Sequence, residues 1–345
     1  MTRQILSLAV PAFGALIAEP LFLLADTAMI GRLGAPELAG VGLAAEIVQT
    51  VTGLLIFLAY STTPAVARFL GAGQLGNALA RGRDGIWLGL GLGAVIGVIG
   101  WYAAPLLGHV ATDDAAPHAI AYMQYSMIGL PAMLAVLAAT GVLRGLQDAT
   151  TPLVVAGAGF GLNIAANYVL IYVLHLGVTG SAIGTSVIQW LMFAVYAMIL
   201  LPRMRRHGVG FAPTTTGLRA TAQVGSWLLV RSASLRAAVL ATVLTATSLG
   251  TEVLAAHQIV FNVYSTMAFA LDALAIAAQA LIGKELGASN VSAVRALTKT
   301  MIRWSVGFGV LTGILLGVGA FGLPHIFTTD PTVIAATTAG LIVLA

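Results

Sequence analysis

Five polar side chains lie within long apolar runs in the first half of the chain: the acids Glu19, Asp26 and Glu46, and the amides Asn163 and Asn167. An ionisable group in hydrocarbon costs at least about 2.5–3.5 kcal/mol, so each acid must face protein or water. A carboxylate in a low-dielectric pocket can bind and release a proton near neutral pH. Asn163 and Asn167 are four residues apart and therefore share a helix face. The pattern predicts a cation-binding pocket around Asp26, and a solvated acid at a helix end is the alternative.

The other acids and two prolines surround this candidate. Glu19 lies two turns before Asp26 and is predicted either to support it or to line a cavity. Glu46 is predicted to line an outer vestibule rather than to bind anything. Pro11 and Pro20 each remove a backbone donor from the first apolar segment, which predicts a fixed bend. A bend that changes as Asp26 titrates is the alternative.

A second set of charged residues, Arg231, Arg236 and Asp272, lies in the apolar runs of the second half. Counting at ~1.5 Å per residue places Arg231 and Asp272 at nearly the same depth on adjacent antiparallel segments. This predicts a buried ion pair between them, and a contact with a bound molecule is the alternative. Two basic residues against one acid also favour an organic anion as a ligand.

The composition indicates that lipid surrounds the chain. Of its 345 residues, 59% are hydrophobic and only 8% are charged, whereas soluble domains carry about 25% charged residues. The Arg residues are scattered singly and form no patch for nucleic acid. The chain contains no cysteine, and its six His residues show no metal-binding spacing. No metal site and no nucleic-acid partner are therefore expected.

Ten apolar segments are candidates for membrane-spanning helices. They lie at about Gln4–Ile30, Leu38–Phe69, Ile86–Leu107, Ile120–Leu143, Pro152–Leu174, Ser181–Leu201, Leu218–Leu249, Val253–Ile282, Met301–Phe321 and Pro331–Ala345. A spanning helix needs about 20 residues, so the last segment is short. The sequence predicts an all-α polytopic membrane protein with about ten helices.

The basic residues indicate the orientation of these segments. Thirteen of the sixteen lie at one end of the predicted bundle, here called the basic end: Arg3, Arg68, Arg81, Arg83, Arg144, Arg203, Arg205, Arg206, Arg219, Lys284, Arg295, Lys299 and Arg303. Loops at the opposite end carry Arg32 and several acids. Basic residues accumulate on the cytoplasmic side of membrane proteins, which predicts a cytoplasmic N-terminus.

The sequence resembles itself at an offset of 216 residues. The offset aligns Leu70-Gly71-Ala72 with Leu286-Gly287-Ala288, Arg68 with Lys284, and Asp114 with Asp330. The unit holds six segments, so both copies enter the membrane in the same direction as parallel repeats. The predicted organisation is an N-lobe (1–202), a cytoplasmic linker (203–217) and a partial C-lobe (218–345). By the same offset, copies of the last three N-lobe segments would span about 336–417. Most of that range lies beyond Ala345, so a truncated second lobe is expected.

Several residues have a familiar order and spacing. They are Pro11, Glu19-Pro20, Asp26-Thr27, Gly31-Arg32-Leu33-Gly34, Leu38-Ala39, Arg231, Leu254-Ala255-Ala256-His257-Gln258, Asp272 and Gly283-Lys284-Glu285-Leu286-Gly287-Ala288. Together they resemble the multidrug and toxic compound extrusion family, in particular its DNA-damage-inducible F-like branch. The resemblance implies twelve helices in two six-helix lobes around a central cavity. It also implies that Asp26 couples transport to a cation and that Asn163 lies near it. At the position of Asn167, some relatives carry Asp.

The resemblance implies a secondary antiporter in the cell membrane that exports small cationic or amphipathic organic compounds in exchange for H⁺ or Na⁺. The expected partners are the substrate and the lipid bilayer, the expected state is a monomer, and no cofactor is expected. An organic-anion exporter and a flippase for a lipid-linked precursor are alternatives. The acids of the first half argue against the flippase, which needs basic residues for a pyrophosphate. No catalytic motif indicates an enzyme, and a two-lobe repeat favours alternating access over a channel.

Overall fold

The computed structural model describes residues 2–345, apart from the side chain of Glu19, and every regular element in this part is helical. The helices are α1 (Thr2–Gly31), α2 (Ala35–Leu55), α3 (Phe57–Gly71), α4 (Leu75–Ala103), α5 (Ala116–Gly145), α6 (Thr150–Tyr168), α7 (Gly177–Arg206), α8 (Thr215–Ser248), α9 (Thr251–Gly287), α10 (Val291–Gly319), α11 (Pro324–Phe327) and α12 (Pro331–Leu344). A 3₁₀ segment, Ala104–His109, follows α4, and a π-helical turn, Val169–Val173, follows α6.

Nine helices of the described chain are long and apolar enough to cross a membrane, with α2 and α3 counted as one span. The predicted all-α polytopic fold is confirmed. The largest boundary differences are at α4 and α10, which begin at Leu75 and Val291 rather than at Ile86 and Met301. Hydropathy detects only the part of a helix that lies in hydrocarbon. Backbone hydrogen bonding continues both helices into polar first turns that the apolar pattern does not reveal.

Helix α5 is the most buried span and forms the centre of the N-half, defined here as α1–α7. It packs against α2, α3, α4 and α7. Helix α4 approaches it closely because Gly89, Gly93 and Gly97 lie on one face, where a Cβ atom would meet α5 backbone atoms at 2.4–2.8 Å. Close backbone packing through small residues is the usual mode of helix association in lipid. The glycine face therefore fixes α4 on the central helix.

The N-half meets the C-half (α8–α12) where α3 crosses α9 near the basic end. A Cβ atom on Gly71 would lie 1.8 Å from the Lys284 carbonyl oxygen, and one on Gly287 would lie 1.8 Å from the Arg68 carbonyl oxygen. The offset of 216 residues aligns Gly71 with Gly287 and Arg68 with Lys284. The aligned motifs thus pack against each other reciprocally, and only glycine leaves room for the two backbones. This contact is called the glycine crossing below.

The loop 207–214 between α7 and α8 is fixed to α4 by a buried acid. Asp84 Oδ1 accepts hydrogen bonds from the Arg83 guanidinium at 2.7 and 3.0 Å and from the Thr214 backbone N–H at 3.0 Å. Asp84 Oδ2 accepts one from Thr214 Oγ1 at 2.7 Å. Arg83 also donates to the Gly210 carbonyl at 2.8 Å. Thr214 is the N-cap of α8, so Asp84 holds the start of the C-half against the N-half.

Replacing Asp84 with Ala is expected to lower the free energy of unfolding by about 3–5 kcal/mol, because Arg83 would remain buried without its acid. Thermal unfolding of the purified protein in detergent would show the loss as a lower Tm. The control is Asn77→Ala on the same helix, which removes only an exposed hydrogen bond to Gln74. Equal Tm values for the two variants would contradict the stabilising role of Asp84.

Candidate functional site

The first candidate site surrounds Asp26, which α1 places beside α6 and α7. The residue is only 6% exposed. Asn167 Nδ2 donates to Asp26 Oδ1 at 2.8 Å, and Ser181 Oγ donates to the same oxygen at 2.9 Å. Among the described residues, no basic side chain pairs with Asp26 and no hydrogen bond reaches its Oδ2. A buried carboxylate in such neutral surroundings is stabilised when it takes up a proton or a cation.

The two amides predicted to share a face of α6 are both buried. Asn167 contacts Asp26 directly, whereas Asn163 lies one turn earlier and makes no hydrogen bond to it within the described part of the chain. The Oδ1 atoms of both amides are buried without a hydrogen-bond partner from that part. Gly184 leaves space for Asn167, since a Cβ atom there would lie 2.1 Å from its Oδ1. Unpaired buried oxygens need a donor, so the pocket retains capacity to accept a proton donor or a cation.

Sequence analysis missed Ser181, which completes the Asp26 pocket. The residue is fully buried near the first turn of α7. Its signal is weak because serine is common among the small residues of closely packed membrane helices. Chain order offers one indication: α6 and α7 are consecutive and antiparallel, so the start of α7 lies beside the end of α6, where Asn167 is.

The second candidate site is a cavity of about 710 Å³ between the two halves. Its polar lining consists of Gln49, Thr50, Tyr60, Arg231, Ser232, Arg236, Asp272 and Gln279. One wall belongs to α2 and α3, and the other belongs to α8 and α9. Beyond the cavity-lining Pro64, α3 and α9 touch, because a Cβ atom on Gly283 would lie 3.2 Å from the Pro64 carbonyl oxygen. A cavity of this volume accommodates a small organic molecule.

The structure does not form the predicted ion pair between Arg231 and Asp272. Both side chains line the cavity and their charges interact, but no ion pair or hydrogen bond joins them. Arg236 instead pairs with Glu46 and donates to Thr50 Oγ1 at 2.9 Å. This ion pair connects Glu46 of α2 to α8, and a role of Glu46 in lining an outer vestibule stays a prediction. Arg231 and Asp272 are at a similar depth, but each side chain lines the cavity and does not reach the other.

Helix α1 connects the two sites. It carries Asp26 to α6 and α7, and it packs Ala12 against Ala273 of α9. Pro11 and Pro20 both lie inside this helix, which continues through them from Thr2 to Gly31. The side chain of Glu19, predicted to support Asp26 or to line a cavity, lies outside the described residues. A movement of α1 would therefore change both the surroundings of Asp26 and the packing at the interface between the halves.

Known proteins are similar in sequence to almost the whole chain. A family model described as MatE matches residues 11–169 and 229–345. Protein DETOXIFICATION 44, chloroplastic, of Arabidopsis thaliana is 30% identical over 99% of this chain and 68% of its own length. DNA damage-inducible protein F of Escherichia coli is 28% identical over 86% of this chain and 66% of that protein. Probable multidrug resistance protein NorM of Pasteurella multocida is 27% identical, with 96% and 74% covered.

Solved structures of similar fold agree with this result. The Vibrio cholerae MATE transporter VcmN in the bent form superposes with a TM-score of 0.88 at 22% identity, and 99% of this chain and 78% of that chain are covered. A structure described as MATE in the bent conformation gives a TM-score of 0.89 at 23% identity, with 99% and 77% covered. These values establish a shared fold. The chain spans about two thirds to three quarters of the length of the curated relatives named above.

Proposed function

Because the chain belongs to the MatE family of multidrug efflux transporters, we propose that it is a secondary antiporter that exports small organic compounds in exchange for a cation by alternating access. Members of this family are transporters rather than enzymes, and they work without a cofactor. The coupling ion that we propose is H⁺, with Na⁺ as the second candidate. Asp26 carries this ion, with Asn163 and Asn167 as its polar neighbours.

One observation carries the coupling half of the proposal: Asp26 is buried, and the described part of the chain gives it two neutral donors, both at one oxygen, and no basic partner. An uncompensated charge in a low-dielectric site is unfavourable. The ionised Asp26 carboxylate therefore favours binding of a cation, and binding neutralises its charge. Because α1 also packs against α9, the two charge states of the pocket can favour different arrangements of the halves.

The central cavity supports the substrate half of the proposal. Its volume suits a small organic molecule, and Asp272 offers a negative charge for a cationic or amphipathic compound. Arg231 favours a second candidate function, the export of organic anions. A flippase for a lipid-linked precursor is less well supported. Glu46 already pairs with Arg236, so Arg231 is the one unpaired basic residue in the described cavity lining to hold a pyrophosphate.

The proposal includes an arrangement in the membrane. Residues 1–202 form the N-lobe, 203–217 a cytoplasmic linker and 218–345 part of the C-lobe, and the lobes are parallel repeats. The excess of basic residues at one end supports a cytoplasmic N-terminus in the cell membrane. The protein is proposed to work as a monomer, since the cavity lies between the two halves of a single chain.

The proposal is tested by reconstituting the protein in liposomes and imposing a pH gradient or a Na⁺ gradient. Ethidium serves as the cationic probe and carboxyfluorescein as the anionic probe. A pH gradient that drives protons in the direction opposite to dye movement is expected to accelerate ethidium transport. An ionophore that collapses the gradient should remove this acceleration. Faster movement of carboxyfluorescein alone would support the organic-anion exporter. Dye movement that neither gradient changes, equal to that of protein-free liposomes, would contradict antiport.

A further inference from the structure

The central cavity presents two opposite charges that do not neutralise each other by contact. Arg231 of α8 and Asp272 of α9 both line it, and no ion pair or hydrogen bond joins them. Arg231 lies about 24 Å from the start of α8 and Asp272 about 22 Å from the end of α9, both measured from the basic end. The two charges are therefore at similar depth on neighbouring helices.

The second arginine of the cavity is already occupied. Arg236 pairs with Glu46 and donates a hydrogen bond to Thr50. Its charge is thus compensated by the protein, and Arg231 and Asp272 remain as the charged groups available to a ligand among the described residues that line the cavity. Gln279 adds a buried side-chain oxygen without a hydrogen-bond partner from the described residues. The charged groups that the described lining offers to a ligand are therefore one cation and one anion.

These charges favour a ligand that carries both signs. A purely cationic molecule near Asp272 would also be repelled by Arg231, and a purely anionic molecule would be repelled by Asp272. A molecule with an ammonium group and a carboxylate can satisfy both residues, while Leu54, Leu228 and Leu235 offer apolar surface for its frame. We propose that the cavity selects amphoteric compounds, which bind their carboxylate at Arg231 and their amine at Asp272. This inference rests on the proposed function and specifies its substrate class.

Three matched fluorescent probes test this inference: Nε-dansyl-lysine, which carries both charges, its methyl ester, which is a cation, and its Nα-acetyl derivative, which is an anion. Binding to the purified protein is measured by dansyl fluorescence, and transport is measured in liposomes with a pH gradient. The zwitterion is expected to bind at least about tenfold more tightly than either derivative, since the loss of one good charge contact costs about this factor.

Variants show whether the two residues cause the selectivity. Arg231→Gln should weaken binding of the zwitterion and strengthen binding of the ester, whereas Asp272→Asn should favour the acetyl derivative instead. The double variant Arg231→Asp with Asp272→Arg should restore part of the preference for the zwitterion. The control is Ser234→Ala on the same helix, because the Ser234 hydroxyl donates to the Val230 carbonyl and the residue does not belong to the described cavity lining.

The outcomes separate this inference from the proposed function. Selective binding of the zwitterion without gradient-driven transport would contradict antiport but support the assigned ligand class. Transport of the probes with equal binding of zwitterion and ester would leave antiport intact and overturn this inference. An unchanged preference in both single-charge variants would also overturn it, because the selectivity would then arise elsewhere.

Discussion

Asp26→Asn is expected to abolish gradient-driven efflux while the protein still reaches the membrane in normal amount. Asn fills the same space and can accept the hydrogen bonds from Asn167 and Ser181 that reach Asp26 Oδ1. It carries no negative charge, so it takes up no proton and cannot neutralise the charge of a bound cation. Initial rates of dye movement under a pH gradient and a Na⁺ gradient, compared with protein-free liposomes, measure the effect.

The matched control for this variant is Asp113→Asn, which makes the same chemical change at an exposed loop residue. Its efflux rate should stay near that of the unmodified protein. Size-exclusion chromatography in detergent confirms that both variants are folded. Undiminished ion-dependent efflux in the Asp26 variant would exclude this acid as the coupling residue and would direct the search to other membrane acids.

Alanine at Gly71 or Gly287 is expected to separate the ends of α3 and α9 and to reduce gradient-driven efflux by about tenfold. The added Cβ atom would lie 1.8 Å from a backbone carbonyl oxygen of the facing helix, where neither group can rotate away. Overpacking of this kind costs about 1–3 kcal/mol, and 1.4 kcal/mol corresponds to a factor of ten in a population. Under alternating access, the variants lose the arrangement in which the halves meet at the basic end.

Spin labels measure this separation directly. The chain has no cysteine, so labels attach only at introduced positions, and Ala72→Cys with Ala288→Cys places them at exposed, repeat-related sites. The distance between the labels should increase in either glycine variant, because overpacking forces the backbones apart. The control is Gly76→Ala, where the Cβ atom would meet the His207 carbonyl oxygen at an ordinary 3.6 Å. An unchanged distance would show that α3 and α9 accommodate the added methyl group without separating, and it would contradict the prediction.

The sequence was sufficient to predict the helices, and the family resemblance placed Asn163 near Asp26. Long apolar runs and the bias of the basic residues dictate how often the chain crosses and where each polar group lies in depth. The spacing of Asn163 and Asn167 predicted one shared face, and Asn167 does contact Asp26. The helices and the shared face follow from local sequence, because hydrocarbon leaves the backbone no regular structure but the helix for such segments.

The contacts between the halves could not be predicted in this way. Depth gives the height of a side chain along its helix, but the rotation of the helix about its axis depends on packing against all its neighbours. Arg231 therefore faces the cavity instead of pairing with Asp272, and Arg236 finds Glu46 across the interface. The glycine crossing could not be predicted for the same reason. The repeat identified the motifs around Gly71 and Gly287 as equivalent, but only the tertiary structure shows that they are in contact.

The attachment of Thr214 to Asp84 has a mechanical consequence. Because the N-cap residue of α8 is hydrogen-bonded to α4, the loop 207–214 is not a flexible linker between the halves. Any rocking must turn α8 about this fixed point, so the helix behaves as a lever whose far end moves most. With Arg231 about 24 Å along it, a rotation of about 10°, a modest hinge motion, would carry that guanidinium some 4 Å. The same turn would leave the pivot itself almost still.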